Sequence, residues 1–296
     1  RTEGREAAAK TVSDLMGRIR REGFGTIHSP TFDALRIGGL RWAHQYAADD
    51  AARAEAKLAL QICYADMLQR YDPSTAMIAG AIGRAYPAEY LGGTGVAQYL
   101  LACDLPSALA ETRSPEPLVM YFALSDYALP EDVLGLASED RRPTQVRTRT
   151  PAAEGEGSET TSTSTWVGDG MSLGTMSGPV HGSCVPVMAT CDLLERPTSY
   201  VYPFGGSAWL SSVQSDGLAI CSFNFDAVGM EPRVQVGVSC MLGTRDQIKR
   251  VLIGRHDWIG EPEAVGQQVV VAVRRGSSYL GMKILDTGPE KKEKTP

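Results

Sequence analysis

The chain has 296 residues, 43% of them hydrophobic and 22% charged, with a formal net charge of -6. This describes a folded chain with a sizeable core, long enough for two domains, and excludes an intrinsically disordered one. The acidic balance argues against wholesale binding to nucleic acid or acidic membranes, and no apolar run approaches the roughly 18–20 residues that span a bilayer.

In the first half, alanine, leucine and charged residues recur at helical spacing. A first helix is predicted over residues 2–21, with Ala8, Val12, Leu15, Met16 and Ile19 as its apolar stripe. Gly23 and Gly25 end it, and the Arg18, Arg20, Arg21 cluster suits a solvated C-terminal turn. Ser29 as N-cap and Pro30 at the first helical position start a second helix reaching residue 47. Its expected face is Phe32, Leu35, Gly39, Trp42, Ala43 and Tyr46. His28, just before the cap, reads either as a catalytic base in a cleft or as an imidazole bonded to the turn; His44 reads as structural. Asp49 and Asp50 open a third helix to residue 71, with Ala54, Leu58, Ile62, Ala65 and Leu68 repeating at helical spacing. Further helices are expected over 94–103, 116–127 and 131–138, which together predict antiparallel helical hairpins.

Between the third and fourth helices runs a glycine-rich stretch from Met77 to Gly95 that carries Arg84, Tyr86 and Tyr90. A fixed forked cation beside phenolic hydroxyls suits an acidic or hydroxylated substrate. The alternative is that the tyrosines fill core space and Arg84 caps a helix end.

After about residue 150 the composition turns to valine, threonine, serine and glycine. Residues 151–159 form a polar hairpin tip or linker. Strands are predicted over 145–150, 160–167, 184–190, 199–202, 217–225, 233–242, 247–253, 267–274 and 279–285, and 166–182 reads as a glycine-rich connection. In that connection Trp166, Asp169 and His181 suit a sugar-binding cleft, which wants an aromatic platform and a few fixed polar groups. The alternative, which the same residues favour, is a tight turn with the tryptophan packed between sheets. Many strands at regular spacing without intervening helices predict an antiparallel sandwich. The six cysteines show no CxxC or zinc-like spacing, so buried free thiols are expected and neither metal nor cofactor is called for. Nucleophile-elbow, zinc-protease, Walker A and EF-hand patterns are absent from the sequence.

The expected architecture is therefore α+β in two domains: all-α over 1–140, an antiparallel β-sandwich over 141–288, and a charged tail over 289–296. His28-Ser-Pro-Thr-Phe32 opening a helix, Gly83-Arg-Ala-Tyr86, and Met171-Ser-Leu-Gly-Thr175 in the second half resemble motifs of a known group. This chain resembles the heparinase II/III-like polysaccharide lyases and related two-domain carbohydrate-active proteins, over most of residues 24–285. The resemblance implies that the helical half is part of an α/α toroid, whose remaining helices would precede Arg1, and that the sandwich closes one side of its cleft. It implies β-elimination in an acidic, uronate-containing polysaccharide or oligosaccharide, with no cofactor. Arg84 would then neutralise the uronate carboxylate, Tyr86 would act as base, acid or both, with His28 the competing base, and Tyr90, His181 and Trp166 would bind substrate. An isolated tyrosine, with a pKa of about 10, is a poor base, so that role needs a neighbouring cation. A glycoside hydrolase would instead pair carboxylates among Asp33, Glu89 and Asp169. A non-catalytic carbohydrate-binding or structural protein is the third expectation.

Overall fold

The computed structural model describes residues 2–22, 28–47, 49–75, 77–86, 96–105, 125–150, 160–180, 183–191, 198–204, 208–224, 235–240, 250–253, 256–257, 270–275 and 278–283. It is a mixed α+β structure whose strands all pair antiparallel. Helix α1 spans Thr2–Glu22, α2 Pro30–Tyr46, α3 Asp50–Leu68, α4 Val96–Asp104 and the single turn α5 Glu131–Leu134. The predicted helix over 116–127 lies outside the described residues up to 124, and residues 125–130 are not helical.

One core cluster joins these helices, with Met16, Ile37, Leu60, Tyr64, Met67, Leu100 and Leu101 among its members. The α1 stripe is buried as expected at Val12, Met16 and Ile19. In α2 and α3 the buried faces differ from those expected. Helix α2 buries Asp33, Ala34, Ile37, Gly38, Leu40 and Arg41, whereas Leu35, Trp42 and Tyr46 are exposed. Helix α3 buries Ala52, Ala56, Ala59, Leu60, Cys63, Tyr64, Met67 and Leu68, with Leu58 exposed. Both helices carry apolar residues all round, so period alone does not single out a face. The true faces also include charged residues that find partners inside. Arg41 donates to the Tyr64 hydroxyl and, at 2.5 Å, to both oxygens of Asp104, while Tyr64 donates to Asp104 Oδ2 at 2.6 Å. The Arg41 guanidinium also lies over the rings of Tyr64 and Tyr127. His44 packs edge-on against Tyr127, the structural place expected of it.

The short hairpin β1 (Tyr71–Asp72) and β2 (Met77–Ile78) follows α3. The large sheet begins with β3 (Thr144–Thr150), β4 (Thr161–Val167), β5 (Met171–Val180), β6 (Val187–Cys191) and β7 (Thr198–Phe204). Next come β8 (Ala208–Ser215), β9 (Leu218–Asn224) and β10 (Gln235–Cys240). Its path runs β10-β7-β6-β5-β4-β3, and the end of β5 also pairs with β8, which pairs with β9. A second sheet has the order β12-β11-β13-β14, from β11 (Arg250–Ile253), β12 (His256–Asp257), β13 (Val270–Arg275) and β14 (Ser278–Lys283).

Two strands differ from the sequence reading. The stretch expected to be a connection over 166–182 is mostly β5, and only the segment around Gly168–Gly170 turns. The glycines of β5 mark a close approach and a bend, which is what glycine does inside a strand. A Cβ on Gly174 would lie 2.1 Å from Gly80 Cα and 2.4 Å from Ala81 N, and Gly178 has φ +126 where β5 changes partner to β8. Strand β8 has no hydrophobic alternation because two of its inward positions are polar. Gln214 accepts from Thr175 Oγ1 and donates to Leu173 O, and Ser212 pairs with Ser177.

The helices and the sheet meet along residues 79–85. Ile82 and Val185 exchange both backbone hydrogen bonds, Ala85 N donates to Ser183 O at 2.7 Å, and Cys184 Sγ donates to Gly83 O. Gly80, at φ +117, presses on Thr165, so that a Cβ there would sit 2.6 Å from Thr165 Oγ1. No helix among the described residues is long and apolar enough to cross a membrane.

The backbone contact between β5 and this segment makes Gly174→Ala an overpacking substitution, expected to cost about 1–3 kcal/mol in urea unfolding. Gly39→Ala, on the exposed face of α2 with nothing within 4 Å, is expected to stabilise by about 0.5–1 kcal/mol in the same measurement.

Candidate functional site

The segment from Ala79 to Ala85 is a strap with two sides. Its N–H groups at Ile82 and Ala85 bond to the sheet, at Val185 and Ser183. Three of its carbonyls accept from side chains of the helical half. Arg70 Nη1 donates to Ala79 O at 3.3 Å, His28 Nδ1 lies 3.3 Å from Ala81 O, and Ser29 Oγ donates to Arg84 O at 2.9 Å. Ser29 occupies the N-cap position of α2, as its sequence context predicts, but makes no side-chain cap bond, because its hydroxyl is committed to the strap.

Beneath the strap lies a buried cluster of charge. Arg70 Nη2 pairs with Asp66 Oδ2 at 3.0 Å, Arg36 Nη1 pairs with Asp33 Oδ1 at 3.0 Å, and His28 Nε2 stands 3.9 Å from Asp66 Oδ2. Burial, helped by the Arg70 charge, lowers the His28 imidazole from 6.5 to about 3 and so keeps it neutral. Burial raises the Asp33 carboxyl to about 7 against the pull of Arg36 and Arg70. Burial acts most strongly on Asp66 and would raise it, but the neighbouring Arg70, His28 and Arg36 together outweigh burial and hold that carboxylate below its ordinary value. The Cys63 thiol, in the same surroundings, is pushed up to about 12 by burial and is inert.

Above the strap, Arg84 is exposed. Its guanidinium carbon lies 5.0 Å from the Phe32 ring centre and 5.8 Å from that of Tyr86, and the two rings are 6.4 Å apart and tilted by 50°. No carboxylate pairs with Arg84 among the described residues. Tyr86 is 37% exposed. A cation resting on ring faces keeps its in-plane N–H groups turned toward solvent, which suits capture of a carboxylate.

The structure thus brings three of the expected site residues together at one strap, Arg84 on it, Tyr86 next after it and His28 packed against it, and divides them. Arg84 and Tyr86 are exposed, and His28 is buried at 5% exposure against the strap's inner carbonyl. Trp166, on β4, has its ring edge against Gly168 and Gly217, where an added Cβ would come within 2.3 Å and 3.1 Å of it. Asp169 is exposed on the β4–β5 turn. Tyr90, His181 and Glu89 lie outside the described residues. Asp33 is buried and paired with Arg36. Phe32, Ser29, Asp66 and Arg70 were not singled out as site residues from the sequence. The spacing Ala59, Cys63, Asp66, Arg70 places the last two on a helical stripe with buried residues, the one signal that could have found them. Among the described residues no three His, Cys, Asp or Glu side chains gather to hold a metal ion. Among known proteins, no family model, curated relative or solved structure matches this chain.

The buried titrations have opposite signs. His28 stays neutral in the fold while the unfolded chain takes up its proton near 6.5, so stability falls as pH drops from about 6.5 toward 3. Asp33 keeps a proton in the fold that the unfolded chain releases near 3.8, so its contribution is lost as pH rises from there to about 7. Asp33→Asn removes the second slope and leaves the first. Its urea-unfolding free energy is expected to rise with pH across the window from about 4 to 6.5, by up to about 1.4 kcal/mol per unit, more steeply than that of the wild type.

Proposed function

We propose that this chain is a carbohydrate-active protein acting on an acidic, uronate-containing polysaccharide, and that its helical half and antiparallel strands correspond to part of an α/α toroid joined to a β-sandwich. One observation carries the reading: an exposed Arg84 guanidinium resting on the faces of Phe32 and Tyr86, with no carboxylate partner among the described residues. A uronate ring offers a carboxylate for the cation and apolar C–H faces for aromatic rings, so both features have a use.

The reaction that fits is β-elimination. Arg84 binds the carboxylate and stabilises the negative charge that spreads onto it when the adjacent carbon loses its proton. Tyr86, acting as its phenolate, takes that proton and passes it to the departing glycosidic oxygen, which leaves a carbon–carbon double bond in the sugar at the new chain end and regenerates the phenolate. His28 is held by Ala81 beneath the strap, so Tyr86 is assigned the proton transfer alone.

The test is the ultraviolet absorbance of the unsaturated uronate, followed during incubation with a panel of uronate polysaccharides. One polymer is expected to give a rise that Tyr86→Phe abolishes while binding is retained. Arg84→Ala is expected to weaken binding by about 10–100-fold, the loss of one charge-assisted contact. New reducing ends without the absorbance would replace elimination by hydrolysis. Binding without either signal would leave a carbohydrate-binding protein.

A further inference from the structure

We propose that His28 and Ser29 form a clamp that positions Arg84, with His28 serving as a neutral hydrogen-bond donor and not as a base. The effect on substrate rests on the lyase reading above; the clamp itself does not.

Two local rules are broken at adjacent residues, and both breaks serve the same segment. His28 is a non-glycine residue at φ 46, a left-handed conformation that crowds its Cβ and persists only when its surroundings enforce it. Ser29 stands at a helix N-cap without capping, although a serine there ordinarily bonds an orphan N–H of the first turn. Each side chain reaches more than fifty residues along the chain, to the carbonyls of Ala81 and Arg84. Arg70 adds a third hold at Ala79.

The tautomer follows from the partner. A carbonyl only accepts, so the Nδ1 atom facing Ala81 O carries the proton and Nε2 is bare. Nε2 has no hydrogen-bond partner among the described residues, and the nearest carboxylate oxygen, on Asp66 at 3.9 Å, is taken by Arg70. A base must reach the proton it removes, and this lone pair is enclosed with Asp66 and Arg70 beneath the strap. The other charged groups of the enclosure are Asp33 and Arg36 on α2. His28 therefore acts through the backbone of the strap, and Ser29 through the carbonyl of the arginine itself.

Asparagine separates the two roles. It tolerates the left-handed conformation and its amide can donate where Nδ1 does, yet it cannot act as a base at neutral pH. With the full chain and its uronate substrate, His28→Ala and Ser29→Ala are each expected to raise KM by about tenfold with kcat little changed. His28→Asn and Ser29→Thr are expected to return KM to within about threefold of the wild type. Loss of kcat in both His28→Ala and His28→Asn, at unchanged KM, would make His28 catalytic and overturn the proposal.

Two measurements need no substrate. Imidazole nitrogen NMR of the wild type is expected to show a protonated Nδ1 and a bare Nε2 for His28, constant from about pH 5 to 8; an Nε2–H form would overturn the clamp. Amide exchange at Ile82 and Ala85 is expected to quicken in His28→Ala and recover in His28→Asn. If these hold while no uronate polymer is bound or cleaved, the clamp stands and the lyase reading falls.

Discussion

The strap at Ala79–Ala85 is the constraint on which the rest of the structure depends. A backbone segment that passes between two packed layers cannot take its hydrogen bonds from water, so each layer must supply partners. Both layers do so: the Ile82 and Ala85 N–H groups and the Ile82 and Gly83 carbonyls bond toward the sheet, while the Ala79 N–H and the carbonyls of Ala79, Ala81 and Arg84 bond toward the helical half. The two sets fix the strap from both sides. The contact is also tight enough to dictate glycine at Gly174, because the Cα of Gly80 occupies the place of a side chain. A further tie joins the halves where Arg142 Nη2 donates to the carbonyl of Tyr71. The helical half and the strands are thus registered to each other by named polar contacts and by shape, not by apolar burial alone.

Meeting those demands puts charge in the interior. Arg70 reaches Ala79 only because its guanidinium is buried, and a buried guanidinium needs Asp66. The same logic recurs deeper in the helical core, where Arg41 is enclosed with Asp104 and Tyr64. Such pairs return little net stability, since desolvation consumes most of the Coulomb gain, but a broken pair leaves an uncompensated charge. Their use is specificity: each guanidinium has several donors in a fixed fork and accepts only one arrangement of neighbours. Neutral His28 fits this setting, because a second buried cation beside Arg70 would upset the balance with Asp66.

The sequence made the element order largely legible, because Pro30, the α1 stripe and the alternating strands are local signals. It did not reveal the buried faces of α2 and α3. Their inward residues include Asp33 and Arg41, and the half-buried Asp66 pairs with buried Arg70 just beyond the end of α3, all of which a hydrophobic pattern assigns to solvent. Strands β5 and β8 were hidden for a related reason. Gly174 answers a close backbone approach, and Ser212 and Gln214 answer hydrogen bonds, so neither strand alternates in hydrophobicity. Of the candidate site, Arg84 and Tyr86 stand out in the sequence by their glycine-rich setting. The aromatic support from Phe32 was not, since it sits fifty-two positions earlier on a face that reads as core.

The contrast among the arginines gives Arg84 its meaning. Arg36, Arg41 and Arg70 are each engaged by a carboxylate, so their forks are occupied. Arg84 is supported differently, by the rings of Phe32 and Tyr86, and no carboxylate pairs with it among the described residues. A carboxylate partner would have fixed this side chain by consuming the donors that a ligand needs. Aromatic support leaves those donors available, and the backbone carbonyl beneath is held by Ser29 at a distance from the charge. Under the proposed function, binding an acidic sugar requires displacing water from one exposed cation, without breaking an ion pair first. Preorganisation of this kind lowers the cost of association, because little of the site has to be ordered when the ligand arrives.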